Sequence, residues 1–432
     1  MKRNLNKNLI YVMALCAMTY SCKKASMTEV RPLSSSYSDT TSVLMLKDEY
    51  PCMKLVTDNV VHIQAIASEE AKSAGIIREE EPQIKHRYLP LETTEECLIG
   101  HIDKILSDDP SVFIFDADNN SALRFSQKDG SFICRYGKRG RGPGEYTDIT
   151  DMAIDKIKKE VCLLDFTQYK LLFFSYDGEF LREEPQYYGF GDIEYLGNNL
   201  LLWTRYSNNT MAPAINNNSF VMAKPDQTPL FRGFPFPELL QELRGCVSHP
   251  WITCKDDIYF TYELSDTIWQ IKEGGICEAR YVFKFPGRDN LFDVHQVTNE
   301  EYSEKKDASP YFSGLVTMVE NFILTEIHGS ESPGQLLYCI PTGHHYYTWT
   351  QYRYFATYKT FRGFFALNGT SFVDIMQPFE LLQNHASIKE RYADFQYENY
   401  WNNQLTEEER QLLQKMTPED NPILLIIDIE PF

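Results

Sequence analysis

Hairpins that return at a fixed spacing constrain this chain more than any other feature of its sequence. From Ser111 it reads Val112-Phe113-Ile114-Phe115-Asp116, a polar turn, Ala122-Leu123-Arg124-Phe125-Ser126, then Lys128-Asp129-Gly130 and Ser131-Phe132-Ile133-Cys134-Arg135-Tyr136. Apolar runs of strand length separated by an Asp-Gly pair predict antiparallel strands joined by tight turns. The same order returns at Val161 to Asp165, Lys170 to Ser175, Asp177-Gly178 and Glu179 to Arg182, with Gly178 lying 48 positions after Gly130. Two more steps of 48 land on Pro225-Asp226 and on Gly274-Gly275, each between apolar runs. Four hairpins at one interval predict a repeat architecture in which each unit is a small antiparallel sheet.

Beyond Phe285 the step lengthens. A polar stretch around Glu300 to Lys306 precedes a fifth unit at Asn321 to Glu326 and Gln335 to Cys339, and a weaker sixth lies at Gly363 to Leu367 and Ser371 to Ile375. A helical piece over Ser387 to Lys415 separates this from a last strand, Pro422 to Asp428. The expected fold is therefore all-β: a six-bladed β-propeller of four-stranded antiparallel blades, with short helical insertions late in the chain. A ring buries each sheet between two neighbours and leaves no long free edge. The terminal strand, or one from before Leu98, completes a shared blade.

The chain opens with the basic Met1 to Lys7 and the apolar Leu9 to Met18, a run too short to span a bilayer, so residues 1–21 read as a signal peptide. Cleavage before Cys22 would leave a thiol ready for acylation, giving a lipidated polar linker over 22–45 and a propeller over 46–432. Within the propeller, regular blades occupy about 98–285 and insertions about 286–315 and 387–420. The expected setting is the bacterial cell envelope, with the outer membrane as partner through a lipid anchor at Cys22. A formal charge of −19 opposes binding to nucleic-acid backbones. Eight further cysteines, none in a CxxC pair, read as small buried side chains within strands.

The most distinctive stretch is Tyr136-Gly137-Lys138-Arg139-Gly140-Arg141-Gly142-Pro143-Gly144-Glu145-Tyr146, directly after the first hairpin. With Leu91 to Ile105 upstream, it resembles the six-bladed β-propeller lipoproteins of Bacteroidota-type bacteria, a family related in architecture to NHL-repeat propellers. The resemblance implies a propeller on an envelope lipoprotein and no particular reaction. The loop joins two blades, so it is expected to cross one face of the disc toward the central channel. Two readings stay open for it. In one it is a structural clasp with Arg139 or Arg141 paired to Glu145. In the other Arg139, Arg141 and Glu145 belong to a ligand-binding point where the guanidinium pair holds an anion.

No GxSxG elbow, HExxH helix, P-loop or dinucleotide fingerprint occurs, and neither a metal site nor a cofactor is expected. Asp116-Ala117-Asp118-Asn119-Asn120 alternates oxygen ligands but reads as a polar turn, and His344-His345 lacks metal-ligand spacing. The leading functional expectation is a non-catalytic envelope module that binds a glycan, peptide or protein. The alternative is a lyase-like or hydrolase-like enzyme with a central-channel site, for which Asp116, Asp165, His249 and Arg139 are candidates.

Overall fold

Lys104–Asp108, Ser111–Asp116, Ser121–Ser126 and Phe132–Arg135 pair in sequence order as one antiparallel sheet, blade 1. The computed structural model describes residues 27–34, 42–65, 83–236, 240, 250–262, 265–285, 311–328, 334–347, 351–354, 357–360 and 365–432. Blade 2 spans 149–185, blade 3 spans 192–235, blade 4 spans 251–284 and blade 5 spans 311–347, each again in sequence order. The 48-residue step is an interval between left-handed turn positions: Gly130 has φ +74°, Gly178 +87°, Gly274 +76° and Gly275 +74°. In blade 3 Gln227 takes this role at φ +65°. Its buried carboxamide donates to the Pro185 carbonyl at 2.7 Å, which offsets the cost of a side chain there.

Blade 6 closes the ring with chain from both ends. Phe365–Leu367 is innermost, followed by Ser371–Met376, then Ile423–Ile429, and Ile84–Pro90 outermost. Both candidate closing strands are thus used, and they pair with each other over seven residues from Ile423↔Pro90 to Ile429↔Ile84.

The two middle strands of blades 1 and 2 are almost wholly buried. That explains why they read as continuous apolar runs, since both of their faces are covered. Alternate residues face opposite neighbours. Val161 and Leu163 of blade 2 pack with Phe113 and Phe115 of blade 1, whereas Cys162 and Leu164 pack with Leu200 and Val221 of blade 3. Among the described residues, six apolar clusters of this kind lie one at each junction from blade 1–2 round to blade 6–1. The cysteines follow the same logic: Cys97, Cys162, Cys254, Cys277 and Cys339 are buried free thiols, Cys134 is half-buried and Cys52 exposed. Cys246 lies outside the described residues.

Three expectations about boundaries change. Residues 22–45 do not read through as a polar linker: Met27–Val30 pairs with Leu44–Lys47 in a two-stranded hairpin, and Val30, Leu44 and Leu46 are buried in the core between blades 2 and 3. The chain then runs along blades 3 and 4, where Lys54–Val56 and Val61–Gln64 pair parallel with Ile276–Lys284. The insertion expected over 286–315 ends earlier, because the innermost strand of blade 5, Tyr311–Val319, lies partly within it. Residues 286–310 and Cys22 fall outside the described residues. The late helical insertion begins earlier, at Pro378–Arg391, where Pro378 and Glu380 favour the first turn, and continues through Asp394–Asn399, a π-helical turn at Tyr400–Gln404 and Glu407–Lys415.

Candidate functional site

The innermost strands of the six blades enclose a cavity of about 850 Å³. Its wall is mostly apolar, with Ile105, Leu106, Ile154, Ile252, Val316 and Phe365 supplied by five of the six blades. Charged side chains, among them Asp103, Lys156, Lys255, Asp256 and Glu273, interrupt the apolar wall, and a volume of this size suits a small ligand or an inserted side chain.

Polar groups converge on one side. Lys104 of blade 1 donates from Nζ to Asp151 Oδ1 of blade 2 at 2.9 Å and to the Ile193 carbonyl of blade 3 at 3.4 Å. Asp151 Oδ2 accepts the Ile193 N–H at 2.7 Å, so one ion pair ties three blades together. Glu194 follows on the same inner strand, lines the cavity and is 4% exposed. Its Oε1 accepts the Tyr195 N–H at 3.0 Å. Burial pushes the Glu194 carboxyl above its usual pKa, although the Lys104 ammonium and the Tyr195 N–H oppose the rise. For Lys104, burial works against the charged form, but Asp151 and Glu194 outweigh it and hold the ammonium above the ordinary lysine value. Beside this cluster Asp192 accepts both Nε and Nη2 of Arg205. Gly191 makes that possible, since a Cβ there would stand 2.5 Å from Arg205 Cδ.

On the wall, Trp251 of blade 4 is 8% exposed and its buried indole N–H has no hydrogen-bond partner among the described residues. The site therefore offers one buried carboxyl, an ammonium already neutralised by Asp151, an unmet indole donor and a broad apolar surface. Among the described residues no three His, Cys, Asp or Glu side chains are grouped to hold a metal ion.

The residues expected from sequence take other positions. Asp116 is buried and accepts the N–H groups of Gly100, His101 and Asn119, while Asp165 is buried and accepts those of Thr147 and Gln168. Each carboxylate thus secures the segment that leads into its blade's inner strand, and neither lines the cavity. His249 lies outside the described residues. Arg139 and Arg141 are exposed on the inter-blade loop, where Lys138–Arg139 pairs parallel with Glu145–Tyr146. The loop does not reach the channel wall. Gly144 packs on the Phe180 ring of the outermost strand of blade 2, and none of residues 137–146 lines the cavity. Glu145 pairs with Lys138 at 3.3 Å and accepts the Gly142 N–H at 2.9 Å, and these contacts hold its carboxyl below the usual range.

A model for a domain of unknown function, DUF4934, matches residues 83–428. The chain belongs to this family. The matched span begins and ends at the two paired strands that close blade 6, so the DUF4934 unit coincides with the ring. A crystal structure described as that of a "Putative exported protein" from Bacteroides fragilis superposes with a TM-score of 0.59 at 17% identity, covering 87% of this chain and all of the other. A member of the DUF4221 family from Bacteroides vulgatus aligns at 0.41 and 7% identity over 62% of this chain and 86% of its own. No curated protein matches. At 17% identity the likeness to the Bacteroides fragilis structure concerns the fold alone, and the channel of this DUF4934 ring must be read from its own residues.

Proposed function

We propose that this DUF4934 protein is an exported envelope lipoprotein, acylated at Cys22, whose ring is a non-catalytic binding module. Its ligand has an apolar body and an amine or other donor head, held in the central channel. The observation that carries this reading is the internal neutralisation of the polar side. Lys104 is engaged by Asp151, which leaves Glu194 as the buried acceptor beside the apolar wall, whereas Asp103, Asp256 and Glu273, which also line the cavity, are more exposed. A buried acceptor set against apolar side chains suits a peptide side chain or small amine with an apolar body and a donor head. Export is supported by the basic and apolar N-terminus and by likeness to a protein described as exported, and the cysteine at 22, just after the apolar run, supports a lipid anchor in the envelope.

The test is calorimetric titration with a panel of aliphatic and aromatic amines and short peptides, alongside neutral glycans. Saturable binding of an amine that weakens about tenfold or more in Glu194→Gln is expected, since a charge-assisted contact is worth about 1.5–3 kcal/mol. Binding of glycans alone, unchanged in that variant, contradicts the reading. A second reading, general acid–base catalysis by Glu194, draws on its burial and raised pKa. It requires product formation from a bound ligand, lost in Glu194→Gln. The exposed Arg139 and Arg141 offer a separate anion-binding point at the loop, and replacing both with glutamine is expected to leave channel binding unchanged.

A further inference from the structure

We infer that the hairpin of Met27–Val30 and Leu44–Lys47 is a membrane-contact surface that seats the blade 2–3 side of the ring on the bilayer carrying its lipid anchor. The inference rests on acylation of Cys22. Met27 lies only five positions after Cys22. At full extension this stretch reaches about 18 Å, well short of a long flexible tether. The hairpin in turn is fixed to the ring: Val30, Leu44, Leu46 and Tyr50 are buried with residues of blades 2 and 3, the Leu33 N–H donates to the Gln186 carbonyl at 2.8 Å, and Arg232 Nε donates to the Tyr50 carbonyl at 3.1 Å. An acyl chain on Cys22 therefore holds this side of the ring near the headgroups.

The outward face of the hairpin has the chemistry for that position. Met27 and Met45 are each 45% exposed and Val43 is 36% exposed. The register sets Met27 opposite Lys47 and Met45 opposite Glu29, so the two methionines share the outer face with a lysine and a glutamate. Glu29 is paired with Arg31 at 3.2 Å and Glu49 with Arg232 at 3.2 Å. Lys47 faces anionic headgroups while the methionines enter the interface, and the sequence carries two more lysines, Lys23 and Lys24, just ahead of the hairpin. The occupant is a lipid surface rather than a protein groove because the same short tether delivers it.

The test uses the full-length protein in vesicles of phosphatidylethanolamine and phosphatidylglycerol, with Cys52→Ser to remove the exposed thiol. An environment-sensitive dye is placed through Met45→Cys, or, as control, through Phe395→Cys. Phe395 is also apolar and is 72% exposed, but it sits in the insertion of blade 6, across the ring from blade 3. Quenching by lipid-borne spin labels is expected to be several times stronger at 45 than at 395. Mass spectrometry of the N-terminal peptide reports acylation in the same sample. An acylated protein quenched equally at both sites overturns this inference alone. A protein without the acyl chain overturns the anchor and this inference with it. Channel binding of amines, measured on the same material, is independent of either result.

Discussion

Lys104 is the residue on which the channel's polar side depends. Removing its ammonium takes the cation from Asp151 Oδ1 and leaves that carboxylate buried, while Oδ2 still accepts the Ile193 N–H. Lys104→Met is expected to lower unfolding free energy by about 3–5 kcal/mol, the usual loss when one member of a buried pair is removed. Chemical denaturation checks this, and Lys104→Met with Asp151→Leu should recover much of the loss. Glu194 makes a prediction in pH. Its folded-state pKa is raised, so the folded ring binds its proton more tightly than the unfolded chain does. The stability it contributes is full below the unfolded value of about 4.5 and is lost as pH rises through the folded one. Glu194→Gln should therefore flatten the fall in stability above pH 4.5, and denaturant midpoints at pH 5 and pH 8 should lie closer together than in the parent. Amine affinity of the parent should rise over the same interval, because the ionised carboxyl is the better acceptor. None of these residues was legible as a site. Lys104 and Asp151 stand 47 positions apart, almost one repeat, and are single charges at the start of inner strands. They lie on equivalent inner strands, upstream of the hairpin turns that mark the 48-residue step.

At the scale of elements the turns carried the fold. Gly130 shows why an Asp-Gly pair recurs there: at φ +74°, a Cβ would stand 1.9 Å from the Pro90 carbonyl oxygen, in the strand that closes the ring. Gly130→Ala is expected to cost about 3 kcal/mol by combining left-handed strain with a backbone clash, read as a lowered thermal midpoint. The late helices are tied to the same strand, since the Tyr88 hydroxyl donates to Glu409 at 2.8 Å and Glu409 also completes the capping box with Thr406. Thr406→Ala should cost about 1 kcal/mol. Asp116 and Asp165 looked like channel groups from sequence because acidic residues ending apolar strands are common to sites and clasps alike. Only the backbone N–H groups they accept separate the two, and those come from loops that sequence pattern does not place. The Gly-rich loop was legible as distinctive, but its direction follows from the packing of Gly144 on Phe180, which lies 36 positions later.

For the molecule as a whole, six junction clusters and a closing blade built from both ends make one ring around one cavity, with the N-terminal hairpin fixed against blades 2 and 3. The ring count followed from the repeat, whereas the site required the blades to be assembled, because its lining is drawn from all six of them. The account stands on the channel as the place of binding. Ala366 lines the cavity from the short inner strand of blade 6 and is half-buried, so Ala366→Trp should fill much of the space with little cost to the fold. Titration of this variant with the amine that binds the parent best is the most direct measurement. Loss of binding with a parent-like thermal transition is expected; unchanged affinity in a folded Ala366→Trp protein would place the ligand elsewhere and contradict the account.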